Sequence, residues 1–182
     1  MVKDIKITKC KLEDIPEFYE VSYIDGGIKK KRVVQKSLDI VKILIYNRDR
    51  DAFVLTKQFR PLTYINHSEA AYKYELCGGR EDKNIGSLQT AIEEVLEETG
   101  YKVDTLQKVT TLYTTSKMTL FYAEVDDSMI ENSGGGVDYE NIEVVYLSTK
   151  DAKEFMFDEN IPKRPGLMFA LCWWFNIRGD KW

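Results

Sequence analysis

The sequence predicts a mixed α/β sandwich carrying an N-terminal β-hairpin. Three observations lead there. Apolar, β-branched runs come in pairs around short polar turns, helical periodicity governs 87–99 and roughly 164–177, and the strands mostly pair as hairpins with helices between them. That order suits a mixed sheet better than a doubly wound parallel one. The 182 residues, 43% of them hydrophobic, suffice for one domain whose core closes without disulfide or metal staples. The expected division is a hairpin extension over 1–36 and a core over 37–182.

In chain order, residues 18–24 (FYEVSYI) and 28–35 (IKKKRVVQ) flank Asp25-Gly26-Gly27, a hairpin turn signal. Residues 40–46 (IVKILIY) and 53–59 (FVLTKQF) form a second pair around NRDRD. Further strands are expected at 72–76, 108–113, 120–125 and 142–147. A helix is expected over 87–99, with Ser87 as N-terminal cap and Gly100 as left-handed C-terminal cap. Its apolar stripe is Leu88, Ala91, Ile92, Val95 and Leu96. Shorter 150–157 and apolar 164–177 complete the helices.

Charge and cysteine content narrow the function. Lys+Arg 26 against Asp+Glu 30, a net charge of −4, argues against a dedicated nucleic-acid binder. The Lys29-Lys30-Lys31-Arg32 run reads as the solvated face of a hairpin, guarded against edge pairing, rather than a phosphate patch. Cys10, Cys77 and Cys172, odd in number and widely spaced, make neither a disulfide framework nor a zinc knuckle, so a reducing, cytoplasmic setting is expected. The N-terminus lacks a signal-peptide apolar stretch, and LMFALCWWF (167–175) falls far short of the ~18 apolar residues of a membrane span.

The chemistry concentrates in Gly78-Gly79-Arg80-Glu81-Asp82 and the helix after it. At ~100° per residue, Glu94, Glu97 and Glu98 share one arc, with Glu93 beside Glu97. Like charges at this spacing weaken a helix unless a cation sits among them. Mg²⁺ suits such a set, because it takes hard oxygen ligands from carboxylates, water and substrate phosphates.

A Gly-containing loop leaving a strand (YELCGG), followed by a helix ending EExxEExG, resembles the Nudix box, G-x5-E-x7-R-E-U-x-E-E-x-G-U with U apolar. Gly79, Glu94, Val95, Glu97, Glu98 and Gly100 match, and Tyr101 takes the last U. Ile85 replaces the first Glu, and Glu93 replaces the Arg that normally orients the metal-binding glutamates. Glu81 or Asp82 is a candidate for the missing acid. KQFRP (57–61), YELCGG (74–79), GGGVDYENIEVVYL (134–147) and NIPKRPGLMFALCWWF (160–175) extend the likeness to the nucleoside-diphosphate-sugar branch. Within it the chain is similar to the animal UDP-glucose (UDP-sugar) pyrophosphatases and, more distantly, to the ADP-ribose pyrophosphatases.

The resemblance implies a Nudix α/β/α sandwich and Mg²⁺-dependent hydrolysis, with Mn²⁺ as possible substitute, of UDP-glucose to UMP and glucose 1-phosphate. The partner would be a small nucleotide sugar, and the hairpin would help build a homodimer. The alternatives are an ADP-ribose pyrophosphatase and a nucleotide-sugar binding protein that has lost turnover. Glu94 and Glu98 would hold Mg²⁺, with Glu97 a third or shared ligand, and the Gly78 carbonyl and Glu140 completing the set. Asp138 occupies the family's general-base position in Asp138-Tyr139-Glu140, after glycines that could let the loop swing. Arg60 would clamp the substrate phosphates, Glu75 would shape the pocket, and Gly79 would join them in binding substrate. His67 reads as a loop residue, Cys77 as a small buried one, and Trp173 and Trp174 as core. Tyr64, Tyr72 and Tyr113 are candidates for stacking on a base.

Overall fold

The protein is described by a computed structural model at residues 18–137 and 140–177. The chain divides between Leu38 and Asp39 into two compact units. The first is the expected hairpin. Strands β1 (Phe18–Asp25) and β2 (Ile28–Gln35) pair antiparallel, with Phe18 opposite Gln35 and Asp25 opposite Ile28. Gly26 and Gly27 have φ of 56° and 79°, the left-handed pair that a tight two-residue turn needs to match strand twist. Within the basic run, Lys30 pairs with Asp25 at 2.5 Å and Lys31 with Glu20 at 2.7 Å.

The second unit is an α/β/α sandwich. Its strands are β3 (Ile40–Asn47), β4 (Ala52–Phe59), β5 (Tyr72–Glu75), β6 (Gln107–Tyr113), β7 (Lys117–Val125) and β8 (Glu143–Ser148). They form one six-stranded sheet, ordered β5-β4-β3-β7-β6, with β8 also on β4. Most pairs are antiparallel, but β3 and β7 run parallel along their length. The sheet is therefore mixed, as expected. Alternation along β3 splits the core. Val41, Ile43 and Ile45 face helix α2 (Ser87–Thr99) through Ala91 and Val95. Leu44 and Tyr46 join Phe155 of α3 (Thr149–Phe157) and Leu167, Leu171 and Trp174 of α4 (Pro165–Ile177) on the other side. At ~25 cal/mol per Å² of apolar area removed from water, these two layers are the main stabilising term.

One irregularity positions the site. β3 and β4 pair only at their turn end, residues 45–47 with 52–54. Beyond that they part, and segment 72–80 fills the gap. Its first half pairs with β4 as β5, and its second half meets β3 through the bridges Ile43–Cys77 and Ile40–Arg80.

Several local expectations change. Ser87 does not cap α2. Gly86 is the cap residue, and the Ser87 hydroxyl donates to Glu81 Oε2 at 2.9 Å. Leu88 is exposed, and the buried face of α2 runs through Thr90, Ala91, Val95 and Glu98. The helix is rotated so that a carboxylate, not a leucine, is covered. A short helix α1 (Pro61–Asn66) and a 3₁₀ turn (Ser68–Ala70), unforeseen from periodicity, follow β4. Among the described residues no helix is long and apolar enough to cross a membrane.

Gly100 ends α2 as expected, at φ 77°, its N–H on Leu96 O. A Cβ there would overlap the Asn132 carbonyl and come within 2.9 Å of Gly134 N. A non-glycine residue held left-handed costs of order 1–3 kcal/mol before any clash. Gly100→Ala should therefore lower unfolding stability by about 2 kcal/mol or more in urea titration, without shifting the denaturant slope.

Candidate active site

The wedge segment brings the glutamates of α2 against the backbone of the loop. Glu98 is 5% exposed, and both its oxygens are engaged, Oε1 by Gln58 Nε2 at 3.1 Å and Oε2 by the Gly78 N–H at 2.8 Å. Gly79 has no side chain for a steric reason, since a Cβ there would overlap the Glu94 carboxylate, whose carbon would be 2.6 Å away. The loop is fixed to β3 by Val41 N–H on Gly79 O and Ile43 N–H on Cys77 O. Lys42 Nζ donates to Leu76 O at 3.1 Å and to Gly78 O at 2.6 Å, so the carbonyl expected to face a metal already receives an ammonium proton.

This crowding raises proton affinity. Burial, with the charges of Glu98 and Glu97 behind it, pushes Glu94 up to about 7, against the opposing charge of Lys42. Burial also raises Glu98, while Lys42 and the Gly78 N–H work the other way. Glu93 and Glu97 face outward to one lysine. Lys83 Nζ lies 2.8 Å from Glu93 and 3.7 Å from Glu97. The substitution of the family's Arg by Glu93 is thus met by a loop lysine.

Near the glutamates stands an ion cluster around a buried carboxylate. Glu75 is 2% exposed and accepts from Arg60 Nε and Arg60 Nη2, each at 2.6 Å, and from Arg164 Nε at 3.1 Å. Burial alone would raise the Glu75 pKa. The Arg60 fork, aided by Lys42 and Arg164, outweighs it and holds the group below the ordinary carboxylate range.

The acidic loop closes the arrangement from the end of α2. The Gly135 and Gly136 N–H groups donate to the carbonyls of Glu98 and Glu97, at 2.9 and 3.0 Å. A Cβ on Gly134 would sit 2.5 Å from Glu98 O. The glycines therefore dock the loop onto the helix terminus, where the sequence suggested a swinging hinge. Glu140 is exposed, and its negative charge bears on Glu94, Glu98 and Arg60. Asp138 lies outside the described residues.

Sequence reasoning missed Lys42, Gln58 and Arg164. Each had a signal: a lone cation in an apolar strand, and polar neighbours inside KQFRP and KRPG. His67 is exposed, its ring 3.9 Å from Glu69. Cys77 is buried with its thiol pKa pushed up by burial, and Trp174 is core. Tyr113 is exposed, whereas Tyr64 and Tyr72 pack against Phe59.

Hard oxygen donors from Glu94, Glu97, Glu98 and Glu140 suit Mg²⁺ or Mn²⁺, and the burial and neighbouring negative charge that lift Glu94 are what a divalent cation would offset. Among the described residues no three His, Cys, Asp or Glu side chains converge at ligand spacing, consistent with both Glu98 oxygens being tied to Gln58 and Gly78.

Comparison with known proteins matches the sequence to one family. The NUDIX domain family model matches residues 36–165. The uridine diphosphate glucose pyrophosphatase NUDT14 of Mus musculus is 33% identical over 193 residues, covering 87% of each chain. A GDP-mannose pyrophosphatase of Pectobacterium atrosepticum is 36% identical over 167 residues, covering 88% of this chain and 85% of its own. In fold, the crystal structure of an ADP compounds hydrolase superposes with a TM-score of 0.67 at 18% identity, covering 96% of this chain and 92% of its own.

A carboxyl whose folded pKa is raised holds a proton that the unfolded chain releases, so stability falls as pH rises through the interval. For Glu94 that interval runs from its ordinary 4.5 to about 7. In EDTA the melting temperature should therefore decline between pH 5 and pH 8, and Glu94→Gln should flatten the decline. Melts of both proteins across that range decide it; an unchanged slope in the variant would refute the assignment.

Proposed function

The chain belongs to the Nudix family of hydrolases, and on that premise we propose that it cleaves the diphosphate of nucleotide sugars, converting UDP-glucose to UMP and glucose 1-phosphate with Mg²⁺. The observation that carries this reading is the two-signed site, with Glu94 over Gly79 and Glu98 on the Gly78 N–H in one part and a buried carboxylate held by two guanidiniums in the other. A diphosphate bridging them would meet cations at both ends. The choice of sugar nucleotide rests on the names of the relatives, a UDP-glucose and a GDP-mannose pyrophosphatase.

Glu94 and Glu98, with Glu97 and Glu140 beside them, would hold Mg²⁺. When bound, the ion supplies charge neutralisation of the phosphates and acidifies a water. Asp138, at the family's base position in the sequence, is the acid that would take the proton of the attacking water, with Glu140 as the alternative. Gly79 leaves the Glu94 carboxylate against the backbone. Gly78 fixes Glu98 through its N–H. Arg60 neutralises Glu75 and shapes the phosphate side of the pocket.

A panel of UDP-glucose, UDP-galactose, GDP-mannose and ADP-ribose with Mg²⁺ should give UDP-glucose the highest kcat/KM. A preference of tenfold or more for GDP-mannose or ADP-ribose would replace the substrate, and binding without cleavage of any would make the chain a nucleotide-sugar binding protein. Losing a metal ligand should cost several kcal/mol of transition-state stabilisation, so Glu98→Gln should fall at least about a hundredfold in kcat with an unchanged circular dichroism spectrum.

The hairpin fits a dimer. A two-stranded ribbon is marginal alone in water, and Ile24, Ile28 and Val33 on it are 63–70% exposed. A chain lacking residues 1–36 should sediment as monomer or aggregate. A truncated dimer with full activity would remove the hairpin from assembly.

A further inference from the structure

Arg60 and Arg164 share Glu75 unequally. Arg60 spends its side-on fork, Nε and Nη2, on the two oxygens of Glu75. Arg164 spends only Nε. A guanidinium has five N–H donors in a fixed plane, so among the described residues both terminal amino groups of Arg164 are uncommitted. They form the end-on pair that matches two phosphate oxygens. Arg164 is also the more accessible of the two, its side chain 48% exposed against 31% for Arg60.

The main chain holds Arg164 in place. Its N–H donates to Tyr74 O at 3.1 Å, and Tyr74 N–H donates to Pro162 O at 3.0 Å, so residues 162–164 meet β5 through a single parallel bridge at Lys163. Pro165 then opens α4, whose Leu167 and Leu171 are fully buried. The cluster also carries unspent charge. One carboxylate faces two guanidiniums, leaving a formal +1 next to the acidic face, because Glu98 and Glu140 both act on Arg60.

We infer that Arg164, not Arg60, is the guanidinium that grips the substrate's diphosphate, with Glu75 and Arg60 serving to aim it. This rests on the proposed pyrophosphatase reading and names a residue that sets its phosphate specificity. Arg60 becomes a positioning residue.

Calorimetry in EDTA, with inorganic pyrophosphate and with UDP as probes, isolates this contact from any metal bridge. A charge-assisted bidentate contact is worth enough that Arg164→Gln should weaken both probes at least about tenfold. Arg164→Lys keeps a charge near Glu75 but loses the fork, and should recover only a small part. Mn²⁺ binding without nucleotide should be the same in all three proteins, and steady-state loss should fall mainly on KM. Pyrophosphate and UDP affinities within threefold of wild type in folded Arg164→Gln would overturn the inference, as would full recovery in Arg164→Lys. Should the Gln variant not fold, the Lys variant decides alone. A wild type that binds both probes through Arg164 yet cleaves no nucleotide sugar would sink the proposed function and leave this inference standing.

Discussion

Everything at the site depends on the parting of β3 and β4. Two strands that stayed paired would satisfy each other's backbone and leave no room for a third segment. Because they separate after Ile45 and Val54, their inner edges carry unpaired peptide groups that burial makes expensive. Segment 72–80 satisfies both edges and is held on both sides. That double attachment aims the Gly78 N–H at Glu98, sets Glu75 beneath Arg60, and leaves Gly79 as floor to Glu94. A loop held from one side would not fix three groups so tightly.

The second constraint is electrostatic. Carboxylates crowded at the end of one helix repel each other, and burial adds to that cost. The fold answers by sorting charge. Lys42 reaches the loop from β3, Lys83 draws Glu93 and Glu97 outward, and the Glu75 cluster holds its positive excess beside the acidic face. The acidic face is thereby left short of positive charge at Glu94 and Glu98, inward of the pair that Lys83 already meets.

The sequence made the fold legible wherever a local rule acted alone. Apolar, β-branched runs located β3 and β4, the glycine pair located the hairpin turn, and Gly100 marked the end of α2. Leu88 and Glu98 exchanged their expected burial because tertiary contacts overrode the simple stripe. Glu98 is covered by hydrogen bonds from Gln58 and Gly78, two residues far from it in sequence. The roles of Lys42 and Arg164 escaped local reading for the same reason, although their residue types stood out. Their partners lie 36 and 89 positions away, and no periodicity spans such distances. The parallel pairing of β3 with β7 likewise depends on a crossover that local pattern does not encode.

The Gly134–Gly136 turn uses its amides to satisfy the last carbonyls of α2, a task that water or a side chain performs in many helices. Its length is consequently part of the helix. Adding or removing one residue between Asn132 and Ile142 would unseat the Glu97 and Glu98 carbonyls as well as the acids that follow. Surface loops ordinarily tolerate such changes cheaply, but this one should behave like framework, and variation in chain length should be displaced to the 48–51 turn and the 114–116 bend at the other edges of the sheet.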